Sequence, residues 1–280
     1  MSNVIDDRGY VIVAMDSHEQ MAAAACSYSI KIKDKNAKVA IVLPYVDSLE
    51  EHIEPAFDYV VQLPYGYDEI RRVNDWQLYW ATPFKYNIVI DVYTLVQTDL
   101  SPLWDTLSAQ HKVAFTQRTY DFKHLSRSLN DIHDDIDIEF VPSSMWFFVA
   151  DDEESLEYFK LADPILQNWQ DVIDSAVGKQ YRKKYYQPDF MNSIILDRIW
   201  DNKRFITDKF EYVSMSASIH DFDNLIEESW ADYINFWITN NCRLKVQNYN
   251  IDDVFCYVNK EIMTWKIYEQ YRNYYQFVSK

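Results

Sequence analysis

Residues 82 to 107 constrain the fold more than any other stretch. Asn87 to Ile90 is a short apolar run, rich in β-branched residues, of the length of a strand covered on both faces. Asp91 ends it. Thr82-Pro83 before it is a turn, because proline fixes φ and drives the preceding residue out of the helical region. Tyr93 to Val96 continues in extended character. Asp99-Leu100-Ser101-Pro102 then marks a turn, with Ser101 placed to cap a helix and Pro102 at its first position. A buried strand with a carboxylate at its carboxyl end is a feature of open α/β sheets, where ligands bind beyond that edge.

The rest of the chain supports the same class. Tyr10 to Ala14, Lys38 to Leu43, Phe57 to Leu63, Lys112 to Gln117 and Ser144 to Ala150 all read as buried strands. Between them lie helical segments. Gln20 to Ile32 places Met21, Ala24, Ala25, Tyr28 and Ile32 on one face, and Ile70 to Trp80 carries Trp76, Tyr79 and Trp80. A helix follows the acids of residues 151–154, which suit the positive end of its dipole. Another begins at Pro188-Asp189. The alternation predicts an α/β fold with a mostly parallel sheet flanked by helices. From residue 205 the pattern changes, and residues 254–278 read as aromatic-rich helix. The expected organisation is a sheet domain over residues 1–204 and a C-terminal helical extension over 205–280.

Composition removes several function classes. The chain of 280 residues has only 3 glycines, so no Gly-rich phosphate loop can be built. A bound nucleotide would be held by side chains, strand ends or a metal. The net charge of -17 opposes non-specific binding to nucleic acid or anionic membranes. Three widely spaced cysteines and a polar, acidic start fit a reduced, cytoplasmic setting. No apolar run is long enough to span a bilayer. The acids of residues 131–139 have metal-like composition, but alternating acids on a polar loop are usually solvated.

Pro83, Phe84, Ile88 to Ile90, Asp91, Thr94, Leu95, Asp99, Leu100, Pro102 and Leu103 fall in the register of a known motif. The stretch resembles the metal and sugar-nucleotide segment of GT-A fold glycosyltransferases, most nearly the glycogenin and galactinol-synthase type. The likeness extends over residues 9 to 200. It implies a nucleotide-sugar donor, UDP-linked, a hydroxyl acceptor, retention of anomeric configuration and a bound Mn2+ or Mg2+. By the same resemblance Ala14 and Asp16 face the nucleotide, Asp91 meets the metal or diphosphate, and Asp189 with Asn192 lies beside the sugar and acceptor. The third metal ligand falls at His220 or near Cys256, with Lys260 as the accompanying lysine. A helix cap is the simpler role for Asp16.

One departure bears on the chemistry. The second carboxylate of the motif is Tyr93 here. A phenol, with a pKa near ~10, is neutral at pH 7 and a poor ligand for a hard cation. Three readings stay open. Asp91 holds the metal with help from the diphosphate; basic residues such as Arg71, Arg72, Arg182 and Lys260 replace the metal; or the chain binds without turnover. Tailed-phage enzymes that glycosylate modified DNA bases give a further acceptor class, against which the acidic charge argues.

Overall fold

The computed structural model describes residues 4–66, 74–116, 118–127, 141–176, 188–199, 206–208, 211–215 and 230–280. Its centre is a seven-stranded sheet. In chain order the sheet takes β1 (Asp6–Val13), β2 (Val39–Leu43), β3 (Tyr59–Gln62) and β4 (Phe84–Ile90). After the short β5 (Thr94–Val96), which leaves for a second sheet, come β6 (Val113–Thr116), the two-residue β7 (Thr119–Tyr120) and β8 (Ser126–Arg127), then β9 (Met145–Val149) and β10 (Ile206–Thr207). The spatial order is β10-β6-β9-β4-β1-β2-β3. β1 runs parallel to both β2 and β4, and only β9 opposes its neighbours. The architecture is therefore α/β with a mostly parallel sheet.

Strand alternation divides the core between two faces. Tyr10, Ile12, Ile88, Ile90 and Phe147 point to one side. Val11, Val89, Trp146 and Phe148 point to the other. The first face is covered by α1 (Ser17–Lys33) and α3 (Leu103–Gln110), with a C-terminal helix packed outside α1. The second is covered by α2 (Leu78–Ala81), α4 (Glu153–Gln167) and α6 (Pro188–Ile194); α5 (Trp169–Ala176) follows α4. Each large side chain buried this way contributes roughly 1.5–3 kcal/mol.

Sequence reading underestimates how deeply α1 is buried. Almost every residue from Ala22 to Lys31 is shielded, not one stripe. The C-terminal helix α7 (Trp265–Val278) covers the side away from the sheet, where Tyr28 meets Tyr275 with ring centroids 5.2 Å apart. The run of alanines at residues 22–25 has no bulk to hold neighbours away, so α1 fits between two layers.

The expected helix over residues 70–80 is shorter. A single turn at Asp75–Gln77 leads into Leu78–Ala81, and residues 67–73 lie outside the described residues. The expected helix over 254–278 starts only at Trp265. Before it come β11 (Val213–Ser214), β12 (Phe236–Ile238), β13 (Leu244–Val246), β14 (Tyr249–Ile251) and β15 (Val254–Cys256). β12 to β14 form an antiparallel meander. β15 lies between β5 and β11 in a five-stranded sheet. Most of the aromatic residues that suggested the helix do lie in α7; Phe255 is on β15 and Tyr257 on the loop after it.

Gly9 sits where β1 passes the ring of Phe84. A Cβ added there would lie 2.3 Å from the ring edge. Phe84 is wholly buried and cannot swing to solvent. Gly9→Ala is expected to destabilise the chain by about 1–3 kcal/mol in denaturant titration, as overpacking does. Gly9→Ala combined with Phe84→Leu should cost less than the two single changes added together, because the clash is shared.

Candidate functional site

The strand order makes the crevice. β2 and β3 extend the sheet to one side of β1, and β4 begins the other. The carboxyl ends of β1 and β4 thus lie at the point where the connections diverge, where open α/β sheets leave a cleft for ligands. A cleft of about 170 Å³ opens there. Val13, Met15 and Glu19 line it from the β1 side, and Ile90, Asp91 and Tyr93 from the β4 side; Asn74, Asp75 and Ser143 are also in its wall.

Asp91 is held by the backbone. Its N–H donates to the Ser144 carbonyl at 2.8 Å, extending the β4–β9 ladder by one residue. Its Oδ1 accepts the Tyr93 N–H at 2.7 Å, closing a tight Asx turn. The turn places the Tyr93 ring in the cleft. The Tyr93 hydroxyl donates to Glu19 Oε1 at 3.1 Å, and Glu19 Oε2 accepts the Met15 N–H at 2.7 Å. Burial pushes the Glu19 carboxyl above the ordinary glutamate value, against the pull of the Met15 hydrogen bond. Burial, with Glu19 close by, also raises the Tyr93 phenol, so it stays protonated as a donor.

Tyr93 is braced from behind by the C-terminal part of the chain. Through β5 and β15, Cys256 pairs with Thr94, and the Tyr257 N–H donates to the Tyr93 carbonyl at 2.9 Å. The Tyr257 ring meets the Tyr93 ring edge to face, centroids 5.9 Å apart. Tyr257 is itself pinned by the Trp230 indole N–H, which donates to its carbonyl at 2.8 Å.

The other expected site residues are placed as follows. Ala14 is fully buried at the end of β1. Asp16 caps α1, its Oδ1 accepting the Glu19 N–H at 2.8 Å. Lys260 is exposed on a single-turn helix, Lys260–Ile262, that packs on α1. Cys256 is buried, its thiol donating to Ser144 Oγ at 3.3 Å. Asn192 is also buried and accepts a hydrogen bond from the Tyr158 hydroxyl of α4; it does not line the cleft. Asp189 belongs to α6. Arg71, Arg72, Arg182, His220 and the acids of residues 131–139 lie outside the described residues.

The cleft does not fit a divalent cation well. Such ions take about six to eight hard oxygen ligands, several of them charged. Here both Glu19 oxygens and Asp91 Oδ1 already accept hydrogen bonds, and residue 93, two places after Asp91, offers a neutral phenol instead of a second carboxylate. Among the described residues no three His, Cys, Asp or Glu side chains converge on a possible metal position. Glu19, the residue that sequence reading missed, stands three places after the cap Asp16. That spacing signals a capping box and a local role; only the fold brings Glu19 to Tyr93.

No protein-family model matches the chain, and no curated protein sequence does. Solved structures do resemble it. The galactosyltransferase LgtC, in complex with donor and acceptor sugar analogs, shares 10% identity over 98% of this chain and 96% of its own, with a TM-score of 0.48. Mouse xyloside xylosyltransferase 1 shares 8% over 90% of this chain and 97% of its own, at 0.46. The bifunctional glycosyltransferase WbbM shares 13% over 81% of this chain at 0.38, and the chain spans about half, 51%, of its length.

If Asp16 serves the helix, Asp16→Ala should cost about 1 kcal/mol in denaturant titration and Asp16→Asn only a few tenths, since asparagine caps as well as aspartate. Equal losses in both variants would overturn the capping role.

Proposed function

We propose that the chain is a glycosyltransferase that takes a sugar from a nucleotide-sugar donor, UDP-linked, and passes it to a hydroxyl acceptor. The observation that carries this reading is the cleft between the carboxyl ends of β1 and β4, with Asp91 on its wall. In the reaction the bond from the sugar C1 to the donor phosphate oxygen breaks. A bond from C1 to the acceptor oxygen forms, the acceptor loses its proton, and the nucleoside diphosphate leaves.

The cleft residues suit the hydroxyl-rich part of such a donor. Asp91 is an acceptor for ribose and sugar hydroxyls, and so is the Tyr93 hydroxyl oxygen, whose proton is held by Glu19. Lys260 is the described cation we assign to the diphosphate, with Arg71 as its partner. Asp189 is proposed as the carboxylate on the sugar and acceptor side. Its helix is tied to the cleft wall: Ser193 Oγ of α6 accepts the Val141 N–H at 2.9 Å, and the segment leading from Val141 carries Ser143. The resemblance over residues 82–107 implies retention at C1. No described helix is long and apolar enough to cross a membrane.

Thermal unfolding with a panel of nucleoside diphosphates and nucleotide sugars tests the reading. A ligand at 100 times its dissociation constant should stabilise the fold by about 2.7 kcal/mol. UDP is expected to give that shift, and Asp91→Ala to abolish it while leaving the unliganded melt cooperative. Silence toward every nucleotide would overturn the donor function.

A further inference from the structure

The two loops that frame the cleft are already joined. Glu19 belongs to the first turn of α1, after β1, and Tyr93 to the turn after β4. Their side chains meet through one hydrogen bond at 3.1 Å, with Glu19 anchored at its other oxygen by the Met15 N–H at 2.7 Å. Tyr93 cannot easily leave. Its own N–H is held by Asp91, its carbonyl by Tyr257, and its ring by the Tyr257 ring. Tyr257 is wholly buried, and its hydroxyl meets no partner among the described residues. A cation bridging Glu19 and residue 93 would have to displace the Tyr93 hydroxyl from Glu19 and would find a neutral phenol there in place of a carboxylate.

We propose that the Tyr93–Glu19 hydrogen bond takes the place of a divalent cation in this cleft, so that the nucleoside diphosphate binds without metal. A bound cation would bridge the two loops and offset diphosphate charge. Here the hydrogen bond does the bridging, and the cleft is preformed before any ligand arrives. The charge is left to cations outside the lining side chains, which include no Lys or Arg among the described residues. Lys260, three residues beyond Tyr257 and exposed on the turn that packs on α1, is the described residue we assign to it. This inference rests on the donor function proposed above and deepens it, and Glu19 enters it as a positioning residue.

Two measurements on the full chain test it. Mn2+ alone is titrated in and followed by electron paramagnetic resonance, and UDP binding is measured by calorimetry in EDTA and in Mn2+. The expected results are no Mn2+ site tighter than about millimolar and UDP affinities that agree within about threefold. Tyr93→Phe should weaken UDP about tenfold, the loss of one hydrogen bond to a charged group, with a thermal melt confirming that it folds. Tyr93→Asp, which sets a second carboxylate beside Asp91, should create a Mn2+ signal. A micromolar Mn2+ site in the wild type, or UDP affinity that rises tenfold or more with Mn2+, overturns the inference. If Tyr93→Phe fails to fold, the two wild-type comparisons decide. If UDP does not bind at all, the donor function falls, and the Mn2+ titration alone decides whether a cation site exists.

Discussion

The parallel pairing of β1 with β4 is the interaction on which the rest of the structure depends. It runs from Asp6 against Phe84 to Val11 against Val89. It requires a glycine at residue 9, because the Phe84 ring lies where a side chain would stand. It pairs the two longest strands of the sheet, and the chain runs to opposite sides from there. The cleft is a consequence: two neighbouring strands end at the same edge, and their loops turn away from each other. Asp91 occupies the cleft because β4 ends there.

The second sheet does what the first cannot. β5 leaves β4 after a single turn and pairs with β15, more than 150 residues later, so the C-terminal part of the chain reaches the cleft and stiffens it. The pairing fixes Tyr93 from its carbonyl side. β15 then delivers Tyr257 behind the Tyr93 ring and leads into α7, which closes over α1. A chain of this length can order such a cleft without disulfides, and Cys26, Cys242 and Cys256 are all buried free thiols.

Electrostatics give the cleft its character. Glu19, Asp75 and Asp91 line it without a described cation among them. In such a place a carboxylate keeps its charge at a cost, and burial accordingly holds the Glu19 carboxyl above its ordinary range. Donors then matter more than charge. The Met15 N–H, the Tyr93 N–H and the Tyr93 hydroxyl offset much of what desolvation takes away. Tyrosine at residue 93 gives the cleft a hydrogen-bond donor, and the neighbouring glutamate accepts from it.

Much of the α/β class was legible from local pattern alone. The apolar run ending at Asp91, the strand pattern of residues 10–14 and 38–43, and the cap at Asp16 depend on neighbours a few residues away, so sequence alone determined them. So did the exclusion of a glycine-rich phosphate loop, which needs only a count. The full burial of α1 was not legible, because its outer cover comes from α7, far along the chain. Nor were the strands of residues 236–256, whose aromatic content also suits a helix until the pairing partner is known. Asn192 matched a motif position, yet its amide is committed to Tyr158 in the core. Glu19 carried the spacing of a cap residue and nothing more. Sequence determined that a carboxylate would stand at a strand end. Tertiary structure alone decided that Glu19, Tyr93 and Tyr257 would meet beside it, because that meeting depends on long-range strand pairing, and local pattern carries no record of long-range partners.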